Sequence, residues 1–158
     1  MSDRHIRASA PFRLIRAVVR CWRCGKPTPV VGLTVATIEQ GGEFHGDPKA
    51  TPPQPVLLHH IADLPYDLIQ VVRAYQQRFV KRDARIGDAA CYQNECRGCG
   101  TGIGDDELFR QPGGPFFSSP PDPAAPVEIF DLPVIGTLEL QADWTVVGRD
   151  IDFDSERT

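Results

Sequence analysis

Two cysteine pairs of identical spacing are the residues of this chain best suited to chemistry. Each pair has the form C-x-x-C followed by glycine, once at Cys21 and Cys24 and again at Cys96 and Cys99. Two thiolates separated by two residues can reach one ion from a tight turn, and the glycine lets backbone N–H groups approach the sulfurs. Four thiolates complete a tetrahedral shell that suits Zn²⁺. The spacing therefore predicts one structural zinc ion per chain, bound by all four cysteines.

The alternative is that each pair is a separate redox or thiol site. Neither pair opens a predicted helix, where the dipole would lower a thiol pKa, so redox use is disfavoured. The 71 residues between Cys24 and Cys96 exceed the about 12–20 of a compact zinc ribbon, so a shared site requires an insertion. The fifth cysteine, Cys91, is expected to be a small packed residue, with a metal ligand or reactive thiol as the alternative.

The histidines give weaker signals. Glu43, His45 and Asp47 form the local cluster nearest to a catalytic metal centre, but they lie in a Pro- and Gly-rich stretch with no periodic partner. His59 and His60 are adjacent in the sequence. Because side chains alternate along a strand, this pair is expected to point to opposite faces.

Residues beside the cysteines have supporting roles in this interpretation. We define the first knuckle as residues 21–26 and the second as residues 96–101. Trp22 either covers the metal or stacks on a nucleic-acid base or a partner side chain, and Asn94 is expected to brace the second knuckle through backbone groups. Asp105 and Asp106 either cap a turn or hold a cation, and the turn is the commoner use.

Short runs of apolar and β-branched residues predict strands around the knuckles and late in the chain. The predicted strands are 13–21, 30–39, 89–95, 127–130, 134–141 and 144–147, with a turn near Asp143. Proline and glycine predict loops over 43–56 and 111–126.

One helix is predicted over 64–82. Asp63 can cap its N-terminus, and five apolar residues then recur at helical spacing: Leu68, Val71, Val72, Tyr75 and Phe79. With the strands, this helix gives an α+β fold class, in which a helix is inserted into an antiparallel β core with additional C-terminal strands.

The knuckle motifs resemble those of a group of largely uncharacterised bacterial proteins. That group pairs C-W-x-C-G-K with Y-x-N-x-C-x-x-C-G…G-D and a closing G-P-F. Here the same patterns stand as CWRCGK from Cys21, YQNECRGCG from Tyr92, GD at 104–105 and GPF at 114–116. The resemblance implies a zinc-ribbon core and no particular activity.

Length and composition indicate one domain. The 158 residues fit a single core, and no apolar run reaches the about 18 residues of a membrane span. The first residues lack a secretory pattern, so we expect a reducing cytoplasm and no membrane partner. The expected organisation is a flexible basic leader over 1–12, a zinc-ribbon-cored domain over 13–148 with an insertion over 40–88, and an acidic tail over 149–158.

Charge is polarised along the chain. The net charge is −4, yet residues 1–27 carry seven basic groups against one acidic group. Residues 105–158 carry twelve acidic groups against three basic ones. The two ends either neutralise each other on the folded surface or leave a basic segment for an anionic partner.

Three classes of function follow from these patterns. The favoured class is a protein-interaction or adaptor module, since no recognisable catalytic motif is present and the total charge is acidic. The second is nucleic-acid binding through the basic residues Arg4, Arg7, Arg13, Arg16, Arg23 and Lys26. The third, an enzyme with a site within 43–60, has the weakest support.

Overall fold

The computed structural model describes residues 5–50, 54–82, 90–104, 108, 116 and 127–146. Within these ranges the chain forms nine strands and one α-helix. In chain order they are β1 (His5–Arg20), β2 (Pro27–Gln40), β3 (Glu43–His45), β4 (Val56–Asp63), α1 (Tyr66–Tyr75), β5 (Phe79–Arg82), β6 (Cys91–Glu95), β7 (Gly102–Ile103), β8 (Glu128–Asp131) and β9 (Thr137–Val146).

Four strands form a closed antiparallel ring. β1 pairs with β2, β2 with β4, β4 with β9, and β9 returns to pair with β1. The short strands β3 and β8 pair with further parts of β2 and β1. Closure gives each ring strand a hydrogen-bonded neighbour on both sides, which removes the open edges of a flat sheet.

β2 is buried on both faces from Thr28 to Ala36, and β1 is buried on both faces only at Leu14 and Ile15, which explains the apolar and β-branched residues there. Leu14 and Val31 belong to the main core cluster, together with Phe12, Leu33 and Leu58. A second cluster includes Ile15, Ala17, Val30 and Leu57, and it also contains Cys21, Cys96, Ile103, Leu108 and Phe116. The second core thus connects the closed sheet to the cysteine region.

A separate three-stranded sheet carries the second knuckle. It has the order β5-β6-β7, and the second knuckle is the turn between β6 and β7. The first knuckle is the turn between β1 and β2. Each knuckle therefore closes an antiparallel hairpin, one in each sheet.

The expected α+β zinc-ribbon architecture is wrong. Strands make up 61% of the described residues and helix 10%, and the main sheet is closed and barrel-like. The expected insertion over 40–88 includes β4, which is one of the four ring strands. Residues 5–12, expected to be a flexible leader, lie in β1, where Ile6 and Ala8 are fully buried.

The helix is shorter than predicted because the chain becomes extended at Gln76. Gln76 is buried, and its side-chain amide donates to the carbonyl of Pro29. Phe79–Arg82 then forms β5 and pairs with β6. At the other end Asp63 lies in β4, and Pro65 occupies the N-cap without a side-chain hydrogen bond.

The late strands also differ from the sequence prediction. β9 runs unbroken through the turn expected near Asp143, because Asp143 pairs with His59 in the β4–β9 ladder. The predicted loop over 43–56 contains β3 and an isolated bridge between Asp47 and Gln54. The predicted strands at 13–21, 30–39, 89–95 and 127–130 correspond to β1, β2, β6 and β8.

Some predicted segments cannot be compared. Residues 105–107, all of 111–126 except Phe116, and the tail over 149–158 lie outside the described ranges. Among the residues that are described, no helix combines the length and apolarity needed to cross a membrane.

Candidate metal centre

The two knuckles have the same local hydrogen bonds. The N–H of the first cysteine donates to the carbonyl five residues later: Cys21 to Lys26 at 2.9 Å, and Cys96 to Thr101 at 2.8 Å. In both, the glycine N–H donates back to the carbonyl of the first cysteine. Gly25 has a φ of 74° and Gly100 a φ of 78°, a left-handed conformation that favours glycine. The glycine of the C-x-x-C-G pattern is thus required by the turn itself.

The four predicted cysteines come together. The Sγ atoms of Cys21 and Cys99 are 3.6 Å apart, and those of Cys24 and Cys96 are also 3.6 Å apart. All four sulfurs lie within 4.8 Å of one another. These separations are far longer than the about 2.05 Å of a disulfide bond, and the cysteines are unbridged. The cluster can hold a metal ion.

A buried amide joins the two sheets beside this cluster. Asn94 on β6 accepts a hydrogen bond from Val31 N–H at 2.9 Å and donates to the Val31 carbonyl at 3.0 Å. The Arg97 N–H donates to the Thr28 hydroxyl at 3.1 Å, which adds a second connection. Asn94 bonds to backbone groups as expected, but those groups belong to β2 and not to the second knuckle. These bonds explain how knuckles 71 residues apart meet.

Backbone N–H groups aim at the sulfurs. The Arg23 N–H lies 3.4 Å from Cys21 Sγ, and the Gly98 N–H lies 3.3 Å from Cys96 Sγ. The N–H of Cys99 contributes most to lowering the pKa of the Cys96 thiol, and that of Gly98 adds to the effect. N–H donation stabilises the thiolate form, which is the form that binds metals.

The pKa values of the two exposed cysteines, Cys24 and Cys99, are shifted in opposite directions. The hydroxyl and N–H of Thr101 lower the pKa of Cys99 to about 6. The N–H of Lys26 lowers the pKa of Cys24, but desolvation and the neighbouring sulfurs outweigh it and raise that pKa to about 11. Negative charge already placed on nearby sulfurs makes one more thiolate costly. A cation among the four would remove that cost.

Cationic side chains surround the knuckles. Arg20, Arg23, Lys26 and Arg97 are exposed there. Arg78 and Arg82 flank the second knuckle, where both pair with Glu95, at 2.7 Å and 2.8 Å. Four thiolates and one divalent ion carry a net charge of −2, which these cations can offset.

The positions of Trp22 and Cys91 bear on the other roles considered for them. Trp22 projects from the first knuckle with 66% of its surface exposed, so little of it is used in covering the cysteines. Cys91 is buried at the start of β6 and lies outside the four-cysteine cluster. This position agrees with the prediction of a packed residue.

The expected cluster of Glu43, His45 and Asp47 does not converge on a common point. His45 stacks on Trp144 with ring centroids 4.2 Å apart, and its Nε2 is 3.9 Å from Glu43. One Asp47 carboxylate oxygen instead accepts the N–H groups of Lys49 and Ala50, as in an ordinary turn.

The sequence prediction for His59 and His60 is wrong. Their rings face each other, with Nδ1 atoms 3.0 Å apart, and Asp143 joins them. His60 has a φ of 50°, so the alternation of side chains breaks at this residue. The adjacent histidines were visible in the sequence, but nothing local signalled the break or the approach of Asp143.

Two of the basic N-terminal residues pair with acidic side chains. On β1, Arg7 pairs with Glu139 at 3.4 Å and Arg13 with Asp131 at 3.2 Å. Arg4 lies outside the described residues. The polarised charge of the chain is thus partly neutralised between its first strand and its last two.

No protein-family model matches the chain, and neither a curated protein nor a solved structure is significantly similar to it. The four-cysteine cluster between two sheets is the feature from which a function can be inferred.

Proposed function

We propose that Cys21, Cys24, Cys96 and Cys99 bind one Zn²⁺ ion whose role is structural. The supporting observation is the convergence of four sulfurs from two matched knuckles. A tetrahedral site with Zn–S bonds of about 2.3 Å has S–S edges of about 3.8 Å, close to the observed 3.6 Å.

Position and ligand number argue for structure over catalysis. Four protein ligands fill a tetrahedral shell, whereas catalytic zinc keeps a position open for water or substrate. The site lies where two hairpins meet, so the ion would tie the β1–β2 hairpin to the β6–β7 hairpin. Thiolate ligation needs reducing conditions, which places the protein in the cytoplasm in this proposal.

Metal content tests this assignment. Purified without chelator, the wild-type chain should carry one zinc per chain by elemental analysis or native mass spectrometry. Cys24→Ser and Cys99→Ser should lose it, because a hydroxyl is a poor zinc ligand. Both residues are exposed, so little packing changes. Cys91→Ser is the matched control and should retain zinc. A metal-free wild type, or Cys24→Ser with full zinc, would contradict the proposal.

The partner proposed for this module is another protein. Trp22 offers a large exposed aromatic surface at the tip of the first knuckle, the kind of side chain that anchors interfaces. The pairing of Arg7 and Arg13 with acidic residues offsets two of the seven basic groups of residues 1–27, which reduces the basic surface open to a nucleic acid.

Nucleic-acid binding is the second candidate, and a specific observation favours it. Arg23, Lys26 and Arg97 are exposed on the same knuckles as Trp22, which combines cations with a stacking surface. Each phosphate contact adds about −0.9 to the slope of log affinity against log salt on duplex DNA.

Labelled oligonucleotides titrated at two salt concentrations distinguish the two candidates. A protein-binding module should bind duplex and single-stranded probes no more tightly than about the micromolar non-specific range at physiological salt. Tighter binding that Trp22→Ala and Lys26→Ala both weaken would establish the nucleic-acid alternative. Arg7→Ala, distant in sequence and already ion-paired, is the control for loss of charge alone.

A further inference from the structure

A histidine pair and an aspartate meet between β4 and β9. His59 pairs with Asp143 in the ladder, and the register shifts between His59 and Asp63. At this irregularity His60 adopts a φ of 50°, which is uncommon for a residue other than glycine. The result is that two consecutive imidazoles face each other instead of pointing to opposite faces.

The donor atoms of these three side chains converge. His59 Nδ1 and His60 Nδ1 are 3.0 Å apart, and His60 Nδ1 is 3.4 Å from Asp143 Oδ2. One ligand atom from each residue lies within 4.8 Å of the other two. For metal–ligand bonds of about 2.0–2.1 Å, ligand atoms of one shell are separated by about 2.9–3.4 Å, and both distances measured from His60 Nδ1 fall in this range.

The Nε2 atom of His59, on the ring edge away from His60, has its own hydrogen-bond partner. This Nε2 is 3.0 Å from the Thr145 hydroxyl, so the ring orientation that presents Nδ1 to His60 has a hydrogen-bonded partner behind it. An outer hydrogen bond of this kind is the usual support of a metal-binding histidine. His59 is buried, whereas the side chains of His60 and Asp143 are 26% and 44% exposed. Two of the three side chains are therefore partly open to solvent.

We infer that His59, His60 and Asp143 form a second metal site, distinct from the four cysteines, for a divalent first-row transition ion. Two imidazole nitrogens and one carboxylate oxygen suit Zn²⁺, Fe²⁺ or Co²⁺, while Ca²⁺ and Mg²⁺ take oxygen ligands. Three protein ligands leave part of the coordination shell to water or a small anionic ligand. The strained His60 backbone fits this role, since such strain concentrates at functional sites.

Cobalt is the probe that tests the site in the full chain. With the four cysteines already loaded with zinc, calorimetric titration of Co²⁺ should show one further equivalent. Its absorption spectrum should lack thiolate-to-cobalt charge transfer, which separates this site from exchange at the cysteines. His60→Ala and Asp143→Asn should each weaken Co²⁺ binding by about tenfold or more. His45→Ala, at a histidine outside the cluster, should leave it unchanged.

Three outcomes would overturn the inference: no second equivalent in the wild type, unchanged affinity in both His60→Ala and Asp143→Asn, or no paramagnetic effect of Co²⁺ on the histidine rings. The first would mean that the two Nδ1 atoms simply share a proton in an N–H···N hydrogen bond. Circular dichroism reports whether each variant folds. Paramagnetic broadening of the His59 and His60 ring signals by Co²⁺ in the unchanged protein gives a reading that needs no variant, and its absence would also overturn the inference.

Discussion

At the scale of single residues, backbone conformation decides which side chains meet. Gly25 and Gly100 turn the chain at the knuckles with positive φ, and the C-x-x-C-G pattern predicts both. His60 also has positive φ, but nothing in its sequence context predicts it. The knuckles were therefore predictable from local sequence, whereas the histidine pair depends on an irregularity that appears only when β4 meets β9.

Gly25→Ala should destabilise the metal-loaded protein by about 1–2 kcal/mol. A Cβ at Gly25 would meet nothing within 4 Å, so the cost is the left-handed backbone alone. Gly104→Ala is the control, because that site is equally open and has no positive φ. Chemical denaturation of both variants measures the difference. Equal stability of the two would mean that the first knuckle can adopt another turn.

Asn94→Ala should be among the most destabilising polar substitutions of the described residues. It leaves the N–H and carbonyl of Val31 without their side-chain partner in a buried setting, at about 1–3 kcal/mol for each group. Gln93→Ala, one residue earlier on the same strand and only half-buried, should cost much less. Denaturant midpoints give the comparison, and similar losses for both variants would refute a bridging role for Asn94.

At the scale of elements, the apolar spacing from Leu68 to Phe79 has two structural meanings. Its first part follows the helix, while Phe79 is buried from a strand. Apolar periodicity cannot show where the helix gives way to a strand, because a strand residue can fall by chance on the helical repeat. What ends the helix is the burial of the Gln76 amide against β2, a tertiary contact without a local sign.

Phe79→Ala should cost about 3–5 kcal/mol, the range for emptying an aromatic core position. Phe79 is 3% exposed and stacks on Tyr92 with ring centroids 5.6 Å apart. Val80→Ala, on the opposite face of β5 and half-buried, should cost less than Phe79→Ala. Thermal and denaturant unfolding measure both. A loss below about 1 kcal/mol at Phe79 would show that the second sheet contributes little to the core.

At the scale of the whole molecule, closure of the main sheet is the feature that could not be predicted from the sequence. The sequence patterns predicted β1, β2, β6 and β8 at least in part, but the pairing of β1 with β9 joins residues 128 to 136 positions apart, and no local pattern encodes such a partner. The polarised charge was an indirect sign, because basic Arg7 and Arg13 meet acidic residues of the last strands. The cysteine cluster was predictable because its pattern is repeated in both knuckles.

Metal removal should increase backbone fluctuations near the cysteines and leave the ring strands unaffected. If zinc ties the two hairpins, a chelator should speed amide hydrogen exchange in residues 21–26 and 91–103 while the ring strands stay protected. Mass spectrometry of peptides resolves these regions. In Cys24→Ser, which lacks the metal, the chelator should change nothing further. Uniform acceleration across the wild-type chain would contradict a local role for the ion.

The β1–β9 pairing also constrains how the protein is made. On the ribosome, β1 emerges first, yet its partner over Thr137–Val146 is synthesised more than 110 residues after β1 ends. Until then β1 and β4 each lack a neighbour, and their exposed edges are open to pairing with other chains. The β1–β2 hairpin can form early, but the ring cannot close until β9 has been synthesised. A chain truncated before β9 would therefore keep the edges of β1 and β4 open and be prone to aggregation.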